Sequence, residues 1–253
     1  MGEEAKDERR GAKDGRWCSL PSRMDLRIIS IGALSAHPLR NEKQAVRAGH
    51  STTTYIHAGS KRILVDPGLP EAAVTARLEE RAGVSARDIT HVFLTCFNPE
   101  TRRGIMAFDH AVWWIGQEER ETIGAALVAK IHEASEEGDE KMKAALENDI
   151  AILKRFQAAP DHLADDKGDR VDLFPLPGVT RGLCGLLAVA QRFTTLICGD
   201  AIPTIEHLEQ GKVLPIVADV DKAKESFGEA IEIADLLIPG RDNLVINPTK
   251  RPF

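Results

Sequence analysis

The segment His91-Val-Phe-Leu-Thr95 is followed directly by the loop Cys96-Phe-Asn-Pro-Glu-Thr101. The first five residues are rich in side chains that favour β-strands, whereas the next six are typical of a polar turn. A buried strand that ends abruptly in a polar loop is where α/β proteins concentrate their binding and catalytic residues. We therefore treat the loop 96–101 as the candidate site loop and search the rest of the chain for its partners.

Composition excludes few function classes but indicates an ordinary globular protein. The 253 residues carry a formal net charge of −6, and 43% of them are hydrophobic. This charge, without a stripe of basic and aromatic residues, gives no indication of nucleic-acid binding. The chain contains no apolar run as long as a membrane span, so we expect no membrane partner.

Cysteine usage gives a prediction of compartment. The sequence contains four cysteines without C-x-x-C spacing, namely Cys18, Cys96, Cys184 and Cys198. This pattern indicates neither a structural zinc site nor a disulfide framework. We therefore expect a cytoplasmic protein.

Hydrophobic periodicity predicts the elements and the domain organisation. Residues 1–24 are polar and aperiodic, which is typical of a disordered tail, and residues 25–253 are expected to form one domain. Helices are predicted over 70–81, over 117–159 as a pair broken near Gly138, and over 220–234. The segment 161–169 is predicted to be a charged loop. Strands are predicted at 26–31, 51–56, 62–65, 91–95, 111–115, 171–176, 183–190, 194–198 and 236–238.

Five landmarks stand at the ends of predicted strands. They are Ile63-Leu-Val-Asp-Pro-Gly68, the segment 91–101, Pro177-Gly-Val-Thr180, Cys198-Gly-Asp200 and Ile238-Pro-Gly-Arg241. In this order they resemble the metallo-β-lactamase superfamily, and the resemblance extends from about residue 25 to 247. It implies, with the alternation of strands and covering helices, an α+β four-layer αββα sandwich of two mixed β-sheets flanked by helices.

The resemblance also implies a set of metal-ligand positions. In the superfamily these loops supply histidines and aspartates to one or two metal ions, usually zinc, which activate water for hydrolysis. All five histidines are replaced in this chain, so we expect no metal cofactor. The ligand positions of the superfamily also include two aspartates, at the positions of Glu100 and Asp200. The residues at all seven positions are Cys96, Asn98, Glu100, Thr101, Val179, Asp200 and Arg241.

Arg241 is the most informative of these replacements, because it would place a cation beside Asp66, Glu100 and Asp200. Unpaired buried carboxylates are costly, and a guanidinium can bind a carboxylate through two parallel hydrogen bonds. We predict that Arg241, with Arg102 or Arg181, substitutes electrostatically for the metal.

The other candidate residues have more ordinary predictions. Cys96 is expected to be a buried structural thiol, and the cleft is expected to be lined by Asp66, His50 and Arg181. His50 is also the first candidate for a rescued metal ligand, although an ordinary hydrogen-bonded histidine is the preferred interpretation for it. Trp113 and Trp114 are expected to pack on alternate faces of a strand.

The favoured functional interpretation is a pseudoenzyme that binds an unidentified small molecule or protein partner. The alternative is a hydrolase of a thioester, ester or phosphoester, with zinc or another divalent metal held by Asp200, Glu100 and Cys96. A third possibility is metal-free acid/base catalysis by the two candidate catalytic carboxylates, Glu100 and Asp200.

Overall fold

Two six-stranded β-sheets pack face to face, and helices cover the outer side of each sheet. The computed structural model describes residues 24–250. This arrangement is the predicted αββα sandwich of two mixed sheets, so the predicted fold class is confirmed. Of the predicted tail 1–24, only Met24 is described, and the single-domain assignment of residues 25–253 stays a prediction.

The first sheet has the strand order β1-β2-β3-β4-β5-β6. Strands β1, β2 and β3 pair in antiparallel fashion, whereas β3 through β6 run parallel. The predicted hairpin between β2 and β3 is confirmed, and Gly59 in its turn has φ +58°. The strands are β1 (Asp25–Ser30), β2 (Thr53–Ala58), β3 (Lys61–Val65), β4 (His91–Leu94), β5 (Val112–Ile115) and β6 (Gln157–Ala158).

The second sheet has the order β12-β11-β10-β9-β8-β7. Strands β10 and β11 run parallel, and the other neighbours are antiparallel. Its strands are β7 (His162–Asp166), β8 (Asp169–Pro175), β9 (Cys184–Val189), β10 (Thr194–Gly199), β11 (Leu236–Pro239) and β12 (Val245–Ile246).

The helices form the outer layers. Gly83 and Gly138 adopt left-handed backbone conformations after α1 and α3, which is why these helices end where the glycines predict. Among the described residues, no helix combines the length and apolar character that crossing a bilayer requires. The helices are α1 (Glu71–Ala82), α2 (Pro99–Arg102), α3 (Gln117–Glu137), α4 (Glu140–Lys154), α5 (Ile205–Gln210) and α6 (Val220–Ile233).

Alternation along the central strands separates the core into layers. In β4, Phe93 lies in the core between the sheets, whereas Val92 and Leu94 pack beneath α1 and the α3–α4 pair. In β5, Trp114 belongs to the inter-sheet core and Trp113 to the helix-covered one, as predicted. A third cluster packs β9, β10 and β11 against α5 and α6.

The prediction of a charged loop over 161–169 is wrong, because β7 occupies most of this segment and pairs with β8. Leu163 and Ala164 are buried in the inter-sheet core while charged neighbours flank them. The hairpin turn Lys167-Gly168 has positive φ at both residues, which is typical of a two-residue turn.

Several shorter elements also differ from the prediction. The helical pattern predicted up to residue 159 ends at Lys154, and the following residues Gln157–Ala158 add an edge strand to the first sheet. The helix α5 and the strand β12 were not predicted, because six and two residues are too short to show a hydrophobic period.

Two glycine-to-alanine substitutions are predicted to change stability in opposite directions. Gly178 has φ +132°, and a Cβ there would collide with the backbone of Ala223 in α6, so Gly178→Ala should lower the free energy of unfolding by at least about 2 kcal/mol. Gly228 lies inside α6 with open space around it, so Gly228→Ala should raise it by about 0.5–1 kcal/mol. Urea unfolding checks both values, and equal effects would contradict the close approach at Gly178.

Candidate functional site

The carboxyl ends of four strands from the two sheets meet at one edge of the sandwich. Asp66 follows β3, the loop 96–101 follows β4, Asp200 follows β10, and Arg241 follows β11 soon after its last residue. β3 and β4 are parallel neighbours, as are β10 and β11, so each pair delivers its loops to the same side. The strand-end residues predicted to form the site are therefore brought together.

Arg241 and Asp200 form a buried, bidentate ion pair. Nε of Arg241 donates to Oδ1 of Asp200 at 2.8 Å, and Nη2 donates to Oδ2 at 2.7 Å. The two residues are 4% and 5% exposed, respectively. Two parallel hydrogen bonds between charged groups fix both the distance and the plane of the guanidinium.

Glu100 supplies a second carboxylate to the same guanidinium. Nη1 of Arg241 donates to Oε2 of Glu100, whose side chain remains 28% exposed. The other oxygen of Glu100 packs so closely against Gly49 that a Cβ on residue 49 would collide with it. The predicted contact of Arg241 with both acids is thus present.

The main chain holds Arg241 in place from both sides. Its N–H donates to the carbonyl of Pro203 at 2.8 Å, and the N–H of Gly240 donates to Ile202 at 3.0 Å. The carbonyl of Gly240 in turn accepts from Thr52 at 2.7 Å. A Cβ on Gly240 would meet the carboxylate of Asp200, so the turn approaches that acid as closely as a backbone can.

Asp66 is the third acid of the site and is fully enclosed. Oδ1 accepts from the N–H of Thr95 at 2.9 Å, and Oδ2 accepts from the Thr95 hydroxyl at 2.7 Å. Burial, reinforced by the nearby charge of Asp200, raises the pKa of Asp66 to about 7. A fraction of the molecules therefore carries a neutral Asp66 at neutral pH.

The electrostatics of the site depend on Arg241. Burial alone would lower the pKa of Arg241, but Asp200 and Glu100 outweigh it and raise this pKa. Because the guanidinium stays charged, it compensates one full negative charge. The partial protonation of Asp66 reduces the remaining excess of negative charge on the three acids.

Cys96 is a buried thiol, as predicted. It packs with Leu176, Leu183 and Cys198 in the apolar cluster outside the second sheet. Burial raises the pKa of Cys96 well above its usual value, and neighbouring carboxylates act in the same direction. The thiolate, which is the form that binds metals or attacks electrophiles, is therefore disfavoured.

The other residues at ligand positions shape the loop. Oδ1 of Asn98 accepts from the N–H of Glu100 at 3.0 Å, and the Thr101 hydroxyl donates to the carbonyl of Cys96 at 2.8 Å. These bonds cap α2 and aim Glu100 at Arg241. Val179 is half-buried against the apolar cluster of Cys96.

The predicted supporting role of Arg102 and Arg181 is wrong. Arg102 instead pairs with Asp149 in α4 at 2.6 Å and lies over the ring of Phe97. Arg181 is exposed and lines a separate cavity beside α3. The pairing of Arg102 with α4 was not visible in the local sequence.

His50 is not positioned as a ligand by its hydrogen bonds. Its ring nitrogens lie 3.3 Å from the carbonyl of Ala48 and 3.0 Å from the carbonyl of Ile31. A neutral imidazole has one N–H donor, so the ring donates to one of these two carbonyls within the segment 31–50. The preferred interpretation of His50 as an ordinary hydrogen-bonded histidine is confirmed.

Two features of the site were missed in the sequence. Glu119, in the first turn of α3, is buried and accepts from Phe97 N–H at 2.9 Å and from the Thr180 hydroxyl at 2.6 Å, so it joins two site loops. Behind Asp200, the Thr204 hydroxyl lies 3.2 Å from His37 and 2.9 Å from His207. Burial lowers the pKa of His207 to about 4.

The donor set does not suit a metal ion. Across residues 24–250, no three or more His, Cys, Asp or Glu side chains are arranged so that they could hold one. The carboxylates of Asp200 and Glu100 instead converge on a guanidinium. A cation that bridged both carboxylates would have to displace Arg241 from a buried ion pair.

Comparison with known proteins agrees with the fold. A family model described as the metallo-β-lactamase superfamily matches residues 46–95. A Thermotoga maritima protein assigned by name to the metallo-β-lactamases is 20% identical with a TM-score of 0.63, over 89% of this chain and 100% of that one. Curated proteins gave no match.

Two other similar structures carry names that state an activity or a ligand. AidC, a dizinc quorum-quenching lactonase, is 18% identical with a TM-score of 0.57, over 84% of this chain and 81% of that one. A variant of AiiA from B. thuringiensis, with N-decanoyl-L-homoserine bound, is 16% identical with a TM-score of 0.55, over 84% and 88%. The chain therefore has the metallo-β-lactamase fold, and at these identities the likeness concerns the fold alone.

A double-mutant cycle measures the buried ion pair. Arg241→Gln should lower the free energy of unfolding by roughly 3–5 kcal/mol, because it leaves the buried carboxylate of Asp200 unpaired. Asp200→Asn should lower it by less, because Arg241 keeps its ion pair with Glu100. The double variant should lose much less than the sum of the two. The exposed pair Arg77–Glu80 is the control, with an expected coupling below about 1 kcal/mol. Equal coupling in both pairs would contradict the buried geometry.

Asp66 predicts a pH dependence of stability. Its pKa is raised from 3.8 to about 7 on folding, so the folded state holds a proton that the unfolded state has lost in this range. The stability contributed by Asp66 should therefore fall as pH rises from about 4 to 7, by up to about 1.4 kcal/mol per pH unit.

Asp66→Asn provides the comparison, because asparagine also tolerates the φ of +49° at this position. The difference in unfolding free energy between the natural protein and this variant should decline across that range and level off above it. Urea titrations at several pH values measure this difference. A flat difference would show that Asp66 is ionised throughout.

Proposed function

We propose that this protein is a non-catalytic member of the metallo-β-lactamase fold that binds a small ligand or a protein partner. In this proposal the Arg241 guanidinium takes the place of the metal and balances the acids that remain. The observation that carries the proposal is the bidentate, buried pair of Arg241 and Asp200, extended to Glu100.

Charge and geometry support this assignment together. A guanidinium supplies five N–H donors in one plane, and three of its nitrogens already bond to the two acids. Metal binding would require both the release of these bonds and the entry of a second cation beside Arg241. Among the described residues, no group of three or more His, Cys, Asp or Glu side chains is arranged to offset that cost.

The rival function is a metal-dependent hydrolase using Asp200, Glu100 and Cys96. Structural neighbours such as the dizinc lactonase AidC make it a reasonable rival, because the same fold supports hydrolysis there. Cys96 argues against it, since burial in an apolar cluster and the nearby carboxylates both raise the pKa of this thiol. Only two of the three suggested ligands would then remain.

Metal-free acid/base catalysis is less well supported. Glu100 and Asp200 both bond to Arg241, and the oxygens of Asp66 are both occupied by Thr95. A general base needs a free oxygen within reach of the substrate.

We also propose a cytoplasmic location, on the ground that all three described cysteines are free thiols.

Metal content tests the proposal directly. The natural protein, incubated with zinc, manganese or iron and then desalted, should hold far less than one metal per chain by mass spectrometry. Its Tm should also be unchanged by these ions. An aliquot dialysed against a chelator serves as the control for adventitious binding.

The result that would overturn the proposal is one metal per chain that is lost in Asp200→Ala. Hydrolysis of a thioester, lactone or phosphodiester that depends on that metal would establish the rival. Any such rate should be compared with Asp200→Ala and Glu100→Gln, so that a contaminating hydrolase is recognised.

A further inference from the structure

A cavity of about 670 Å³ lies between the N-terminal half of α3 and the loop 177–181. Its volume falls within the range typical of small-molecule sites. The loop 177–181 is the one in which the resemblance places a metal-binding histidine and this chain has Val179. The cavity therefore adjoins the altered site.

The walls of this cavity are mostly apolar. The apolar lining residues are Ile123, Ala125, Ala126, Val179 and Ala218. Ala125 and Ala126 of α3 and also Ala218 are exposed, so this part of the apolar wall is open to solvent. An aliphatic group that covered this wall of the cavity would bind favourably, because apolar surface would be removed from water.

The lining carries one charge of each sign, on Arg181 and on Glu121. Arg181 is exposed, and no carboxylate among residues 24–250 lies within ion-pair distance of it. Glu121, the acidic residue of the lining, already accepts a hydrogen bond at 2.9 Å from the side chain of Gln117. Among the described residues, Arg181 is thus a cation without an ion-pair partner beside the aliphatic surface of the cavity.

The walls are held in position without a ligand. The N–H of Ala218 donates to the carbonyl of Val179 at 3.1 Å, and the N–H of Asp219 donates to Gly178 at 2.9 Å. The Thr180 hydroxyl donates to Glu119, which fixes the same loop to α3. A site formed before binding loses little conformational entropy on binding.

We propose that this cavity binds an amphipathic monocarboxylate. Its aliphatic body lies on Ala126, Val179 and Ala218, and its carboxylate pairs with Arg181. The proposal rests on the proposed function, since it names the ligand class of a non-hydrolytic binding protein. Val179 has a positive role in it, because an aliphatic side chain at that position extends the apolar wall.

Titration with simple carboxylates tests the proposal. Butanoate, hexanoate and octanoate are added to the natural protein, and chemical shifts in the NMR spectrum give the dissociation constants and the residues affected. Affinity should rise about fourfold per buried methylene, and the shifts should centre on α3 and the loop 177–181. Shifts centred elsewhere, or an affinity independent of chain length, would overturn it.

Matched variants separate the two parts of the site. Arg181→Gln should weaken octanoate binding at least fivefold but change 1-octanol binding less than twofold. Arg192→Gln removes the same charge from an exposed loop and should have no effect. Ala126→Phe should weaken octanoate binding at least fivefold by covering the apolar wall, whereas Ala129→Phe, also exposed on α3, should not. Equal effects within either matched pair would contradict the proposal.

The experiment separates this inference from the proposed function. Octanoate has no bond to hydrolyse, so its binding is measured independently of any catalysis. Stoichiometric metal in the protein would overturn the proposed function and leave the octanoate result intact. Failure of octanoate to bind would overturn the cavity assignment and leave the result for metal content unchanged.

Discussion

A buried guanidinium needs carboxylates around it, and this requirement organises the candidate site. Arg241 meets it with two bonds to Asp200 and one to Glu100. The partners come from different sheets, because Glu100 follows β4 and Asp200 follows β10. The ion pair therefore also joins the two halves of the sandwich at the edge where their loops meet. Removing one partner would leave a charge that the apolar layers behind it cannot solvate.

The surrounding residues accommodate this pair rather than a metal ion. Asp66 shares its oxygens with Thr95, and burial raises its pKa so that part of the excess negative charge is removed. The side chain of Cys96 packs in an apolar cluster, and Asn98 caps the short helix that carries Glu100. In the loops that follow the strands, these side chains serve packing, capping and ion pairing.

Sequence reasoning reached the fold and the centre of the site, but not its periphery. The break at Gly138 and the contacts of Arg241 could be predicted, because each depends on one residue type at a strand end or helix end. The partner of Arg102 could not, since Asp149 lies 47 positions away on α4. The strand β7 was missed because its charged residues hide the short buried pair Leu163-Ala164.

The most direct test of the exchange of metal for guanidinium is a crystal structure of the natural protein grown with zinc and measured at the zinc absorption edge. The account predicts density for the Arg241 side chain between Asp200 and Glu100, with no anomalous peak on either carboxylate. An anomalous peak bound to Asp200, with Arg241 displaced towards solvent, would contradict it.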